Sequence, residues 1–245
     1  MVLCGGFSAE VRAKKMRQDD STESISVSLN IGGYTKRIKK RGACKMDYLV
    51  LADRTVSFWV QAHVVSQTLS PLMVGLSKVG AMGTVWILIG TVLLMKKRWR
   101  RLGIAVFIGL LFSLLVGNGI LKHLVMRARP CIDFPWMPLL IQAPTDFSFP
   151  SGHTFGSFVA ATAIFCDVSH RWGVAVLGLA AGIGLSRIYL FVHYPSDVLA
   201  GALLNIVFGT LAWRISGKVF ASFPPSWRVE HRLAEIPVSV EEPRS

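Results

Sequence analysis

The sequence predicts an all-α fold, a polytopic bundle of membrane helices. Two observations carry that prediction. The chain is short of polar residues, at 52% hydrophobic and 17% charged with a mean hydropathy of +0.48, whereas an average soluble domain carries about 25% charged residues. Apolar runs of 17 to 20 residues also recur along it, over 79–95, 103–121, 150–166, 173–192 and 198–216. Crossing the hydrocarbon core takes about 20 helical residues, so these read as five spans.

Residues 47–75 are a sixth candidate. Their pattern is helical, yet they carry Asp53, Arg54, Gln61, His63 and Gln67. Such a segment either lies at the interface as an amphipathic helix or spans with its polar face buried in the bundle. His63 reads as packed or interfacial in both cases.

The flanks read as tails. Residues 1–45 hold ten Lys/Arg, four acidic residues and no long apolar run. They lack the apolar core of a signal peptide and read as a flexible basic tail, and 217–245 read as a second tail. The formal net charge is +13, but no nucleic-acid-binding module accompanies it. Cys4, Cys44, Cys131 and Cys166 are scattered, without the spacing of a zinc site or a disulfide framework.

Charge also orients the chain. "KKRWRR", Lys96–Arg101, belongs in the cytoplasm by the positive-inside rule. Span 103–121 then runs outward, and the link 122–149 is extracytoplasmic. Span 150–166 returns, 173–192 goes out, and 198–216 comes back, leaving the C-terminal tail in the cytoplasm. A cytoplasmic basic N-terminus requires 47–75 to cross, giving six spans.

Three polar clusters sit at span ends, and counting crossings puts all three on one side. "KHLVMRARP" supplies Lys122, Arg127 and Arg129 before Pro130. An ammonium and a guanidinium together bind an anion, although end-of-helix charges also snorkel. "PSGH", Pro150–His153, offers Ser151 as a helix N-cap, and free amides beside Gly152 suit an anion. "SRIYLFVHYPSD" gives Ser186, Arg187, His193 and Asp197. His193 and Asp197 are four apart, and a carboxylate on one ring nitrogen orients the other.

Taken in order, Lys-x6-Arg-Pro, Pro-Ser-Gly-His and Ser-Arg-x5-His-x3-Asp resemble the three-part signature of the type-2 phosphatidic acid phosphatase superfamily. The resemblance covers residues 47–216, the expected membrane phosphatase domain (46–216), and every motif position is filled. It implies a metal-free membrane phosphatase acting on lipid phosphates or diphosphates, with no cofactor. It also implies the roles. His193 attacks phosphorus and forms a phosphohistidine, with Asp197 orienting and charge-stabilising it. His153 protonates the leaving oxygen and then activates water. Lys122, Arg129 and Arg187, the Ser151 hydroxyl and the Gly152 amide neutralise the non-bridging oxygens. Asp133 and Asp146 lie in the link, but their spacing marks no metal site. The expected partners are a lipid phosphate and the bilayer, without nucleic acid, and the expected location is the plasma membrane.

The family analogy favours undecaprenyl diphosphate, with phosphatidic acid and phosphatidylglycerol phosphate as alternatives. A transporter that holds an anion without chemistry is a second reading, and it leaves the oriented histidines unexplained. A haloperoxidase shares the pocket, but the apolar spans point to a lipid. The link "CIDFPWMPLLIQAPTDF" reads either as a packed lid or as an interfacial loop with Trp136 at headgroup depth beside a lateral opening.

On these roles His193→Ala abolishes phosphate release, and EDTA leaves the wild-type rate intact. Strict dependence on magnesium, read in the same assay, contradicts the scheme.

Overall fold

The computed structural model describes residues 9–16, 24–31, 34–41, 45–224 and 227. From Lys45 to Ser222 the regular structure is entirely helical: α1 Lys45–His63, α2 Ser70–Val79, α3 Thr84–Met95, α4 Arg100–Phe112, α5 Lys122–Val125, α6 Pro130–Asp133, α7 Gly152–Phe165, α8 His170–Tyr189 and α9 Pro195–Ser222. A π-helical stretch, Ser113–Leu121, joins α4 to α5.

Part of the tail differs from expectation. Where an unstructured N-terminal tail was expected, three strands form an antiparallel meander: β1 Ala9–Met16, β2 Ser24–Ile31 and β3 Tyr34–Arg41. In the register Ala9 faces Ile31, and Ile31 in turn faces Tyr34. "SISVSLNI" alternates polar and apolar residues, the period of a strand. The rest of that tail, and residues 228–245 of the C-terminal one, lie outside the described residues.

Three helical stretches are long and apolar enough to cross a membrane: Lys97–Asp133, His170–Tyr189 and Pro195–Ser222. A fourth, Ser70–Val79 with Ala81–Met95, is bent by 48°. It stands where a straight span over 79–95 was expected. The bend sits at Gly80–Gly83, where Met82 and Gly83 have φ of 52° and 72°. The expected span 150–166 is α7, of only 14 residues, or about 21 Å at 1.5 Å per residue.

The single helix expected over 47–75 is two helices, broken at 64–69. Pro71 lies in the first turn of α2, where the missing N–H costs nothing. Ser66 collects the freed groups: its Oγ accepts from Leu69 N at 3.3 Å, and its N–H donates to the Tyr189 hydroxyl at 2.9 Å. α1 is also inside out. Asp53 and Ser57 are buried, while Tyr48, Leu49, Val56 and Trp59 are exposed. A helix in water hides its apolar face; one facing lipid turns its polar groups inward. His63 is exposed, with Nδ1 3.0 Å from Trp59 O.

At the centre lies α7, packed against α4, α8 and α9. Its small residues, Gly156, Ala160, Ala161 and Ala163, are buried and allow close helix approach. Trp86, Val106 and Ile183 fill the core around them, and Trp86 Nε1 donates to Ser157 Oγ at 2.8 Å. The outer surface is apolar, as at Leu199, Leu203, Ile206 and Val207 of α9. Cys131 is buried, Cys166 is exposed, and both are free.

α9 crosses the start of α7 at Gly201. A Cβ there would stand 3.0 Å from Ser151 O and 3.1 Å from Phe155 N, both backbone atoms that cannot move aside. Gly201→Val therefore destabilises the protein by about 2 kcal/mol, the usual cost of overpacking. A lowered thermal midpoint in detergent shows it. Gly178→Val, where a Cβ meets nothing within 4 Å, is the neutral control.

Candidate active site

Four chain segments deliver polar groups to one end of the bundle. The π-helical stretch leads into α5 and Lys122. α5 stops at Met126, whose φ of 45° is left-handed, and this turn carries the chain on to Arg127 and Arg129. α7 begins at Ser151, its N-cap: Ser151 Oγ accepts from Thr154 N at 3.5 Å and Thr154 Oγ1 at 2.9 Å. α8 ends with Arg187, and α9 begins with Pro195 and Asp197. Ser151 N donates to Asp197 O at 3.1 Å, which ties the starts of α7 and α9 together.

The turn between α8 and α9 presents His193. Phe191 takes a left-handed φ of 58° there, a costly conformation for a bulky residue. Burial holds it in place, with its ring centroid 5.6 Å from that of Phe58 and 6.3 Å from that of Phe134. His193 Nε2 lies 2.8 Å from Arg129 Nη1, on the side of a cavity of about 670 Å³. Behind the ring, Nδ1 is 3.7 Å from Asp197 Oδ2 and 3.4 Å from Ser148 Oγ. The direct carboxylate–imidazole hydrogen bond expected from the spacing is thus replaced by a bridge. Ser148 Oγ donates to Asp197 Oδ2 at 2.5 Å and touches the imidazole from the same atom. Burial, opposed by the Asp197 charge and reinforced by Arg129 and Arg187, pushes the His193 imidazole down to about 4. The ring is therefore neutral at pH 7, and its Nε2 lone pair points to the cavity side, where it accepts from Arg129 Nη1.

The cavity is lined by Lys122, Arg129, Arg187, His153, His193 and Gly152, six of the eight residues singled out in the sequence. The other two stand behind it. Asp197 is fully buried, and Ser151 is occupied in capping α7. Ser186 turns back to its own helix, donating to Ile183 O at 2.6 Å. A Cβ at Gly152 would fall 2.8 Å from Asn118 Oδ1, so a larger residue there pushes the Asn118 side chain aside. Arg187 donates from Nη1 to Ser77 Oγ, and its buried Nε has no hydrogen-bond partner.

Sequence reasoning missed the groups that hold these residues. Asp146 of the link takes Arg129 through Nη2 at 2.7 Å and also binds the Lys122 ammonium. Burial alone would raise the Asp146 carboxyl, but Lys122 and Arg129 outweigh it and hold it down to about 2. The pairing is complete above pH ~4, the ordinary aspartate range, and is lost as the pH falls through about 2. Arg129 further donates to Val192 O and Asp146 O, both at 2.7 Å. Asp146 lies in the non-helical link before α7, where no helical period relates it to His153, so no sequence signal marked it.

The cavity is half apolar. Ile87, Phe107, Leu110, Leu111 and Leu114 line it, and Ile87, Leu111 and Leu114 are also exposed on the lipid-facing surface. From the link, Pro144 and Asp146 line it and none of 134–141 does. Phe134 is packed instead, 4.8 Å edge-on to Phe58, while Trp136 is exposed. The apolar lining therefore comes from α3, α4 and the π-helical stretch rather than from residues 134–141 of the link.

A sequence profile described as the PAP2 superfamily matches residues 102–221. The chain is 37% identical over 139 residues to an undecaprenyl-diphosphatase of Sulfolobus acidocaldarius, a match covering 56% of this chain and 66% of that one. It is 34% identical to a lipid A 1-phosphatase of Rhizobium etli, over 54% of this chain and 59% of the relative. It is 32% identical to a decaprenylphosphoryl-5-phosphoribose phosphatase of Mycobacterium tuberculosis, over 58% and 78%. The chain thus spans less than two thirds of the first two relatives, 66% and 59%. Among solved structures, Aquifex aeolicus LpxE is similar in fold, with a TM-score of 0.59 at 23% identity over 68% of this chain and 95% of that one. A PAP2 type phosphatidylglycerolphosphate phosphatase from Bacillus subtilis gives 0.57 at 23%, over 71% and 88%.

Asp146 occupies the donors of Lys122 and Arg129 that suit an anion. Asp146→Asn removes the competing charge and tightens inorganic phosphate binding by about fivefold at pH 7, a modest factor because the carboxylate is half exposed. Isothermal titration of purified protein with phosphate reads the change.

Proposed function

The chain belongs to the PAP2 superfamily, and on that premise we propose an integral membrane phosphatase that hydrolyses a lipid phosphate or diphosphate. One observation carries the proposal: a single cavity joins a histidine backed by a buried carboxylate, three cationic side chains and an apolar slot open to the lipid-facing surface. The cations suit the phosphate, the histidine suits its transfer, and the slot suits a lipid chain.

In the proposed reaction His193 Nε2 donates its lone pair to phosphorus. The phosphorus–oxygen bond to the lipid breaks, and His153 gives the leaving oxygen its proton. Water, deprotonated by His153, then attacks the phosphohistidine and releases inorganic phosphate. Phosphoryl transfer depends mainly on positioning and on charge neutralisation. Lys122, Arg129 and Arg187 supply that charge, so the hydrolysis runs without metal. The Gly152 amide at the start of α7 adds a donor, and the Ser151 hydroxyl, which holds that turn, stands beside it.

Undecaprenyl diphosphate is the favoured substrate, by analogy with the family and with the undecaprenyl-diphosphatase relative of Sulfolobus acidocaldarius. Phosphatidic acid and phosphatidylglycerol phosphate are the alternatives. The site faces the extracytoplasmic side, opposite the basic Lys97–Arg101 end of α4. The proposed topology has six crossings: α1, the bent pair α2–α3, the long α4–α5 stretch, α7, α8 and α9. The inside-out pattern of α1 supports its crossing.

A substrate panel tests the proposal. Purified protein is offered undecaprenyl diphosphate, phosphatidic acid and phosphatidylglycerol phosphate in detergent with EDTA, and phosphate release is measured. Release is expected from at least one lipid and fastest from undecaprenyl diphosphate. Release from none of them, beside measurable phosphate binding, supports an anion-binding protein instead.

A further inference from the structure

Asp53 lies on α1, upstream of the residues 102–221 that match the superfamily profile. It nevertheless ends a chain of charges that starts at His193. Asp197, 3.7 Å behind the imidazole, accepts at Oδ1 from Arg127 Nη1 at 2.7 Å. The same guanidinium donates from Nη2 to Asp53 Oδ2 at 2.6 Å. Asp53 also accepts from Ser196 N at 2.9 Å and Ser196 Oγ at 2.5 Å. All three of its bonds are accepted, as an ionised carboxylate requires. Asp53 and Asp197 are buried, and Arg127 is only 19% exposed, stacked 4.3 Å over the Tyr194 ring.

We infer that Asp53 is a positioning residue for phosphoryl transfer: it shares Arg127 with Asp197 and so keeps a net negative charge behind His193. The inference rests on the proposed function. Two carboxylates and one guanidinium sum to minus one. When His193 Nε2 bonds to phosphorus its ring becomes cationic, and the groups in front of it, Lys122, Arg129 and Arg187, are cationic too. Asp146, the carboxylate on that side, is already paired with Lys122 and Arg129, so the charge behind the ring is the one left to favour that cation. Without Asp53, Arg127 neutralises Asp197 alone, the trio becomes neutral, and the phosphorylated ring loses its support. α1 is then part of the catalytic apparatus, as the source of that charge. Pinning α1 to α9 needs only a hydrogen bond from Ser196 N, which an asparagine at position 53 retains.

The test compares the full-length wild type with Asp53→Asn and Asp53→Glu. With the best substrate of the panel, Asp53→Asn lowers kcat by about tenfold, the weight of one unit of pKa, and leaves KM and the thermal midpoint unchanged. Asp53→Glu, which keeps the charge, recovers part of the rate. The amount of phosphorylated enzyme trapped by acid quench falls with kcat. Orthovanadate, which takes a fifth bond from an imidazole as the transition state does, is titrated beside inorganic phosphate. Asp53→Asn weakens vanadate binding by about tenfold and leaves phosphate binding as it was. Wild-type kcat and vanadate affinity in Asp53→Asn overturn the inference, as does a rise in KM alone. A fall in thermal midpoint that accounts for the lost activity also overturns it. A wild type that neither turns over any lipid of the panel nor binds vanadate fails the proposed function itself, and the inference with it.

Discussion

Asp197 is a carboxylate with no access to water, and the site end of the bundle is arranged to keep it charged. Burying an ion costs several kcal/mol unless close partners compensate. Here the partners are Ser148 from the link, the Tyr194 amide at the head of α9, and Arg127 beyond α5. Arg127 in turn needs Asp53 of α1. One buried charge therefore fixes four segments of chain. Held at N3 of α9, Asp197 also caps the helix and meets its positive dipole end.

The cavity in front of His193 has the opposite balance. Lys122, Arg129 and Arg187 converge on it, and Asp146 is the carboxylate that lines it. Arg187 is met by the neutral Ser77 hydroxyl, and its Nε has no partner. Like charges held close in a medium of low dielectric repel strongly, and on the proposed function an arriving phosphate relieves that repulsion. On the proposed function that excess of positive charge stands in for a metal. The separation matters: three cations and Asp146 face the cavity, while Asp197 and Asp53 sit behind His193.

Lipid as solvent explains the rest of the architecture. α7 carries the Pro-Ser-Gly-His motif and is wrapped by α4, α8 and α9, so its length is set by packing against protein. Its partners carry the lipid-facing side chains. α1 inverts the usual pattern, because its polar residues have partners only inside the bundle. The bend at Gly80–Gly83 belongs with the cavity, since Gly80, Met82 and Gly83 all line it.

Much was legible in the chain itself. Apolar runs announce helices in lipid because backbone groups there must be satisfied within the segment. The three motifs announce the site because a phosphate demands cations and an oriented base in fixed local spacing. Motif spacing also placed the three clusters at one end, through the parity of crossings. The alternation in "SISVSLNI" announces a strand as well, although the charge of the tail around it masked that signal. Other features depend on groups far apart in sequence. Arg127 and Asp53 are 74 residues apart, Ser148 and Asp197 are 49 apart, and Tyr189 ties down the break at Ser66 from 123 residues away. No periodicity encodes such pairs, because they come from the packing of whole helices. By itself the sequence singled out, through local spacing, polar residues that line one cavity, and, through the need to hide the backbone from lipid, the helices that carry them. Only the tertiary structure decided which buried charges compensate one another, because that choice is made by helices meeting in three dimensions.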